Sequence, residues 1–239
     1  MGAIYLIRHA QASFGAADYD QLSELGLIQS RVLGRSLLAR GPRTDRIVCG
    51  TMRRHEQTAE ECLQAMGLAA KWESDPGWNE YDPRDVMSAY DPRYRDPAVM
   101  ASELAASDNP RRRFQEIFVQ AMDRWVSGAH DSEYTESWAA FCTRVGGALT
   151  RLSASLAKSQ GALVFTSGGP IAAACAALLN LSAKDALRLN TRLANAAVTK
   201  LLCSGQAIHL STVNEHGHFE GESIGGEAPS QDGALITYR

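Results

Sequence analysis

The chain has 239 residues, 45% apolar and 21% charged, with a formal net charge of -3. This is the profile of a soluble globular chain with room for one large α/β domain or two small ones. The charge excludes the basic footprint that nucleic acid or an anionic membrane surface requires, and the most apolar segment, Ile171 to Leu181, is too short to span a bilayer.

A short apolar run, Ala3 to Ile7, reads as a buried strand because it does not alternate, and it stops at Arg8-His9. Phe14 to Asp20 reads as a loop. Ser23 then stands as an N-cap, with Leu22 and Leu27 placed as a hydrophobic staple. Leu25, Ile28, Val32 and Leu33 continue at helical spacing until Gly41-Pro42. A second strand is expected at Arg46 to Cys49, a helix at Arg53 to Met66, and a third strand near Ala70 to Trp72. Strand, helix, strand with short connections predicts parallel pairing.

Residues Asp75 to Pro110 carry five of the eight prolines with no sustained period, which predicts an insertion of short helical pieces. Helices follow at Arg112 to Val126, with an inward stripe of Phe114, Ile117, Phe118, Ala121, Met122 and Trp125, and at Ser137 to Ala157. A fourth strand, Ala162 to Phe165, runs into Thr166-Ser167-Gly168-Gly169 and a helix expected to have Pro170 at its first position. A short helix follows Ser182, and a hairpin pairs Val198 to Cys203 with Ala207 to Val213 around Ser204-Gly205.

The five cysteines (Cys49, Cys62, Cys142, Cys175 and Cys203) form no CxxC pair, and Cys49, Cys175 and Cys203 lie in apolar runs. Buried thiols in a reducing compartment are therefore expected. The first residues show no basic segment, apolar core and cleavage site, so the expected location is cytoplasmic. No H-x-x-x-H, CxxC or clustered Asp suggests a metal.

Three polar clusters follow strands directly: Arg8-His9, Thr51 to His55, and Thr166 to Gly169. In a parallel sheet such ends converge on one edge. The second and third also open helices, whose N-terminal N–H groups favour anions. Two arginines and a helix N-terminus around a histidine describe a phosphate site with a candidate nucleophile.

Several stretches also match family motifs in order. Leu6-Ile7-Arg8-His9-Ala10 matches R-H-G with Ala for Gly, and Leu22-Ser23-Glu24-Leu25-Gly26-Leu27-Ile28-Gln29 matches L-T/S-x-x-G-x-x-Q. Arg54-His55-Glu56-Gln57-Thr58-Ala59 matches R-A-x-Q-T-A, and Trp78-Asn79-Glu80 and Glu136-Ser137 match two further segments. Over most of its length the chain thus resembles the histidine phosphatase superfamily, the phosphoglycerate-mutase-like proteins. The resemblance implies a single α/β domain over residues 1–239, three-layered, with a mostly parallel central sheet, helices on both faces and a helical cap inserted at about residues 81–130.

The resemblance further implies a histidine acid phosphatase-type phosphomonoesterase. It would hydrolyse a small phosphomonoester through a phosphohistidine on His9, with Glu80 as acid and base. Arg8, Arg54, Ser167 and Gly168 would bind the phosphate, with Gly168 and Gly169 allowing close backbone approach. No cofactor and no metal are implied. The expected partner is a small phosphorylated substrate, without nucleic acid or membrane, and a homodimer is left open. A mutase is disfavoured because Gln11-Ala12-Ser13-Phe14-Gly15 lacks the asparagine that mutases place there for a second phosphate.

One departure stands out. Ser167 occupies the place of the histidine in the family's S-H-G-G. A hydroxyl supplies one neutral hydrogen bond and no positive charge, a loss of about 1.5–3 kcal/mol or roughly ten- to a hundredfold in affinity. A second reading therefore stays open: a catalytically impaired phosphate-binding or scaffolding protein on the same fold. Of the other histidines, His55 is expected on the outer side of its helix start, and His216 and His218 at the periphery.

Overall fold

The structure, a computed structural model, describes residues 1–13, 20–204, 207–220 and 235–238. The expected loop at 14–19 and the hairpin turn at Gly205 lie outside the described residues. Among the described residues six strands form one sheet: β1 (Gly2–Arg8), β2 (Arg46–Cys49), β3 (Glu73–Ser74), β4 (Gly161–Thr166), β5 (Val198–Ser204) and β6 (Ala207–Glu215). Their order is β3-β2-β4-β1-β5-β6. The first four are parallel, and β5 and β6 close the edge as an antiparallel pair. The expected α/β architecture with a mostly parallel sheet is what the chain adopts.

Every residue of β4 is buried, as its unbroken apolar run requires of a central strand. The third strand lies slightly later than expected. Trp72 packs against the apolar core, while the next two residues, Glu73 and Ser74, pair with Val48 and Cys49. Its apolar signal reports packing rather than ladder pairing.

The helices are α1 (Glu24–Arg40), α2 (Arg53–Ala65), α3 (Pro83–Tyr90), α4 (Pro97–Ala105), α5 (Pro110–Val126), α6 (Trp138–Ser155), α7 (Gly168–Leu179) and α8 (Ala183–Asn190). Ser23 caps α1 by accepting from the Gly26 N–H at 3.0 Å, and Gly41 ends it in the left-handed region at φ 61°. Helix α7 begins at Gly168, two residues before Pro170. Proline is tolerated at this third position because first-turn N–H groups have no intrahelical acceptor.

The chain divides into two compact units, one formed by Met1–Glu80, Val145–Leu181 and Asp185–Arg239, the other by Tyr81–Arg144 and Ser182–Lys184. The second runs beyond the 81–130 insertion expected from sequence. Its prolines open helices: Asp82, Asp96 and Asn109 each accept a backbone N–H just ahead of Pro83, Pro97 and Pro110. The segment that breaks periodicity is thus a series of Asx-capped, proline-started short helices. Tyr81, Trp125, Trp138 and Phe141 form its aromatic core, and Arg144 donates to both carboxylate oxygens of Glu136 at 2.7 and 2.8 Å.

In the first unit, α1 presses on the chain just after β1. A methyl group added at Gly26 would collide with the Gln11 carbonyl oxygen, a backbone atom with nowhere to go. Gly26→Ala is expected to lower stability by about 1–3 kcal/mol through overpacking, read as a lower urea midpoint with an unchanged slope.

Candidate functional site

The site follows from how β4 ends. Cys49 of β2 and Arg8 of β1 sit in register with Phe165 and Thr166. Beyond those pairs each neighbour donates one more N–H to β4: His9 to the Thr166 carbonyl at 2.7 Å, and Gly50 to the Phe165 carbonyl at 3.0 Å. The three polar clusters singled out in the sequence therefore emerge side by side at the carboxyl edge.

The turn after β1 is held by side chains of the two following helices. Thr58 Oγ1 accepts the Ala10 N–H at 3.0 Å and donates to the Arg54 carbonyl. Gln29 Oε1 accepts the Gln11 N–H at 2.8 Å, and Gln57 Oε1 accepts the Leu22 N–H at 2.7 Å. The His9 carbonyl takes the Ala196 N–H and, at 3.1 Å, the Asn195 side-chain amide.

His9 itself is buried, and its Nδ1 lies 2.7 Å from the Ala10 carbonyl oxygen. A carbonyl only accepts, so this contact puts the proton on Nδ1 and the lone pair on Nε2. Burial, then the charges of Arg54 and Arg8 and the neighbouring His55, hold the imidazole's pKa well below the usual histidine value, against the smaller pull of the Ala10 carbonyl. His9 is thus neutral at neutral pH with an unprotonated Nε2, the form a nucleophile needs.

The two arginines are engaged with protein acceptors. Arg54 is buried and donates from Nη1 to Asp20 Oδ1 at 2.6 Å, while Asp20 Oδ2 takes the Arg53 N–H. Arg8 donates to the carbonyls of Leu193 and Tyr238.

Trp78-Asn79-Glu80 ties itself to the strand ends residue by residue. The Trp78 carbonyl accepts the Thr166 hydroxyl at 2.6 Å, Asn79 clamps the Thr51 N–H and hydroxyl, and Glu80 Oε2 accepts the Gly169 N–H at 3.0 Å. Glu80 therefore sits on the first turn of α7. The two glycines there also leave room for side chains of neighbouring segments. A methyl at Gly168 would strike Asn190 Oδ1, and one at Gly169 would strike Glu80 Oε1. In this structure the absent side chains make room for Asn190 and Glu80.

His55 departs most from its expected place. It is fully buried rather than on the outside of α2, and its Nε2 lies 2.6 Å from Ser167 Oγ. Its ring centroid is 5.8 Å from that of His9. Arg54 faces Asp20 and the next residue turns inward, so the side-chain direction depends on what α2 packs against. Burial, with Arg54 adding to it, holds the His55 pKa well below the usual value. His216 bonds the Asn214 carbonyl, and His218 is half-buried and pushed down to about 4, mainly by burial. Asp20, Asn190 and Asn195 are site residues that no pattern in the sequence marks. Among the described residues no group of three His, Cys, Asp or Glu side chains could hold a metal ion.

The buried imidazoles give the fold a pH dependence of known sign. His9, His55 and His218 stay neutral in the folded chain but take up protons near pH 6.5 when it unfolds. The unfolded state then binds more protons, so their stability contribution is intact above about pH 6.5 and is lost progressively below it. Thermal melts are expected to show Tm falling from about pH 7 to about pH 5, and His55→Gln, which cannot titrate, should make that fall shallower.

Comparison with known proteins agrees with this fold. The family model for the histidine phosphatase superfamily (branch 1) matches residues 4–124 and 105–216. No curated protein sequence matches the chain. Phosphoglycerate mutase from Bacillus anthracis str. Sterne is similar in structure at TM-score 0.63 and 19% identity, over 90% of this chain and 94% of that one. A phosphoserine phosphatase mutant from Entamoeba histolytica in complex with phosphoserine is similar at TM-score 0.62 and 15% identity, over 91% and 99% of the two chains. The mycobacterial glucosyl-3-phosphoglycerate phosphatase complexed with inorganic phosphate is similar at TM-score 0.60 and 23% identity, over 90% and 98%. With the family model spanning most of its length, this chain belongs to branch 1 of the histidine phosphatase superfamily.

Proposed function

We propose that the protein hydrolyses a small phosphomonoester through a phosphohistidine on His9. The observation that carries this reading is the 2.7 Å contact of His9 Nδ1 with the Ala10 carbonyl, which leaves Nε2 as the lone-pair nitrogen of a buried, neutral imidazole. Nε2 attacks phosphorus and the ester P–O bond breaks. Glu80 gives its proton to the departing alkoxide, then takes one from the water that attacks the P–N bond, which restores both residues. Arg54, released from Asp20, and Arg8 stabilise the charge on the phosphoryl oxygens, with Ser167 and the Gly168 N–H at the start of α7. The two phosphatases among the similar structures support hydrolysis as the reaction class. With its five cysteines as free thiols, which suits a reducing compartment, we place it in the cytoplasm.

Turnover of p-nitrophenyl phosphate and a panel of small phosphomonoesters tests the reading. His9→Ala should reduce kcat by about a thousandfold or more, and mass spectrometry at alkaline pH should find phosphate on His9 in the quenched wild type. Phosphate binding without turnover would instead make the chain a phosphate-binding protein on a phosphatase scaffold. Because His9 is held neutral, the acid limb of kcat/KM should show no histidine titration at the ordinary value near 6.5. A limb centred there and abolished by His9→Ala would contradict the assignment.

A further inference from the structure

We propose that His55 and Ser167 act as one donor unit at the His9 site: His55 is a positioning residue whose Nε2–H holds Ser167 Oγ, which turns the hydroxyl hydrogen to a phosphoryl oxygen. The inference rests on the phosphate-site reading above and deepens it by naming the group that stands in for the second imidazole.

The position of one proton on the His55 ring decides what Ser167 can do. His55 Nδ1 is buried with no hydrogen-bond partner among the described residues, packed so closely on Gly50 that a methyl there would collide with it. A proton on Nδ1 would be a buried donor with no acceptor, the rarer and costlier kind of orphan. The network therefore assigns the proton to Nε2, 2.6 Å from Ser167 Oγ. Oγ is then the acceptor, and its own hydrogen must point elsewhere.

Among the described residues His55 is the only hydrogen-bond partner of the Ser167 side chain, which is fully buried. That leaves a buried hydroxyl hydrogen without an acceptor among the described residues, at the N-terminus of α7, where helix N–H groups favour an anion. The residue before it, Thr166, accepts the His9 N–H, and the His55 ring stands beside the His9 ring. An oxygen of a phosphoryl group on His9 has the chemistry this hydrogen lacks. Two of the positions at which the chain departs from the motifs it otherwise resembles, His55 and Ser167, are the two ends of this hydrogen bond. The imidazole is delivered from α2 instead of from the turn after β4.

Calorimetric titration of the full chain with inorganic phosphate tests the unit without requiring turnover. His55→Ala and Ser167→Ala should each raise the phosphate Kd by about ten- to a hundredfold, and the double variant should be no weaker than the worse single one, because both break the same contact. His55→Gln, whose amide N–H can still donate to Oγ, should retain more affinity than His55→Ala. Ser167→His alone should lose affinity because the His55 ring fills the space, whereas His55→Ala with Ser167→His should recover it. Imidazole ¹⁵N shifts should show His55 protonated at Nε2. Additive losses, an unchanged Kd in folded Ser167→Ala, or a proton on Nδ1 would each overturn the proposal. Coupled losses in a chain that never turns over would sink the phosphatase reading alone. Turnover with uncoupled losses would sink only this inference, and a wild type that does not bind phosphate would sink both.

Discussion

Everything at this site depends on β4 lying between β1 and β2 with all three running the same way. Parallel neighbours in register finish at the same level, and here each hands one further N–H to the last carbonyls of β4. Those two bonds fix where His9 and Gly50 leave the sheet. They also put Ser167, the residue after β4, beside the helix that Gly50 leads into. Because β4 is buried throughout, its backbone groups have no water to turn to, so the pairing is the only arrangement that satisfies them. A site assembled from three distant stretches of sequence is in this way fixed by a few backbone hydrogen bonds.

The electrostatics follow from putting imidazoles where that edge is dry. Two buried histidines stand next to Arg54, whose positive charge opposes protonating either of them. The balance thus favours neutral rings, and each ring's remaining proton is directed by one local contact: the Ala10 carbonyl for His9 and Ser167 for His55. Asp20 offsets the Arg54 charge in the structure, since an arginine this buried needs an acceptor. The carboxylate keeps the guanidinium aimed. The glycines at 168 and 169 belong to the same economy of space, since side chains of neighbouring segments fill what they vacate.

Much of this was legible in the residue order. The end of β1 at Arg8-His9, the Ser23 cap, the Gly41 stop and the bounds of β2 all rest on local rules of periodicity and capping, which act over a few residues. The motif residues Gln29, Gln57 and Thr58 could be seen as a pattern, but their purpose could not. Each spends its side chain on a backbone N–H of the turn after β1 or of the residue leading into α1, many positions away. Asn195 and Asp20 carry no pattern at all, because a single polar side chain in a loop looks the same whether it faces water or the His9 carbonyl. The proline-rich stretch looked irregular because several short capped helices in succession never sustain one period.

By itself, the sequence determined the fold class, the family, the strand ends that build the candidate site and the histidine that closes the first of them, because each is written in local apolar runs, caps and contiguous motifs. Only the tertiary structure decided where His55 points. A helix start can present any given residue outward or inward depending on what it packs against, and α2 packs so that Arg54 meets Asp20 and His55 meets Ser167. The serine that reads as a missing imidazole in the sequence is, in the folded chain, hydrogen-bonded to one. That relation joins residues 112 positions apart, and it exists only once β2 and β4 have paired and brought the starts of α2 and α7 to the same edge.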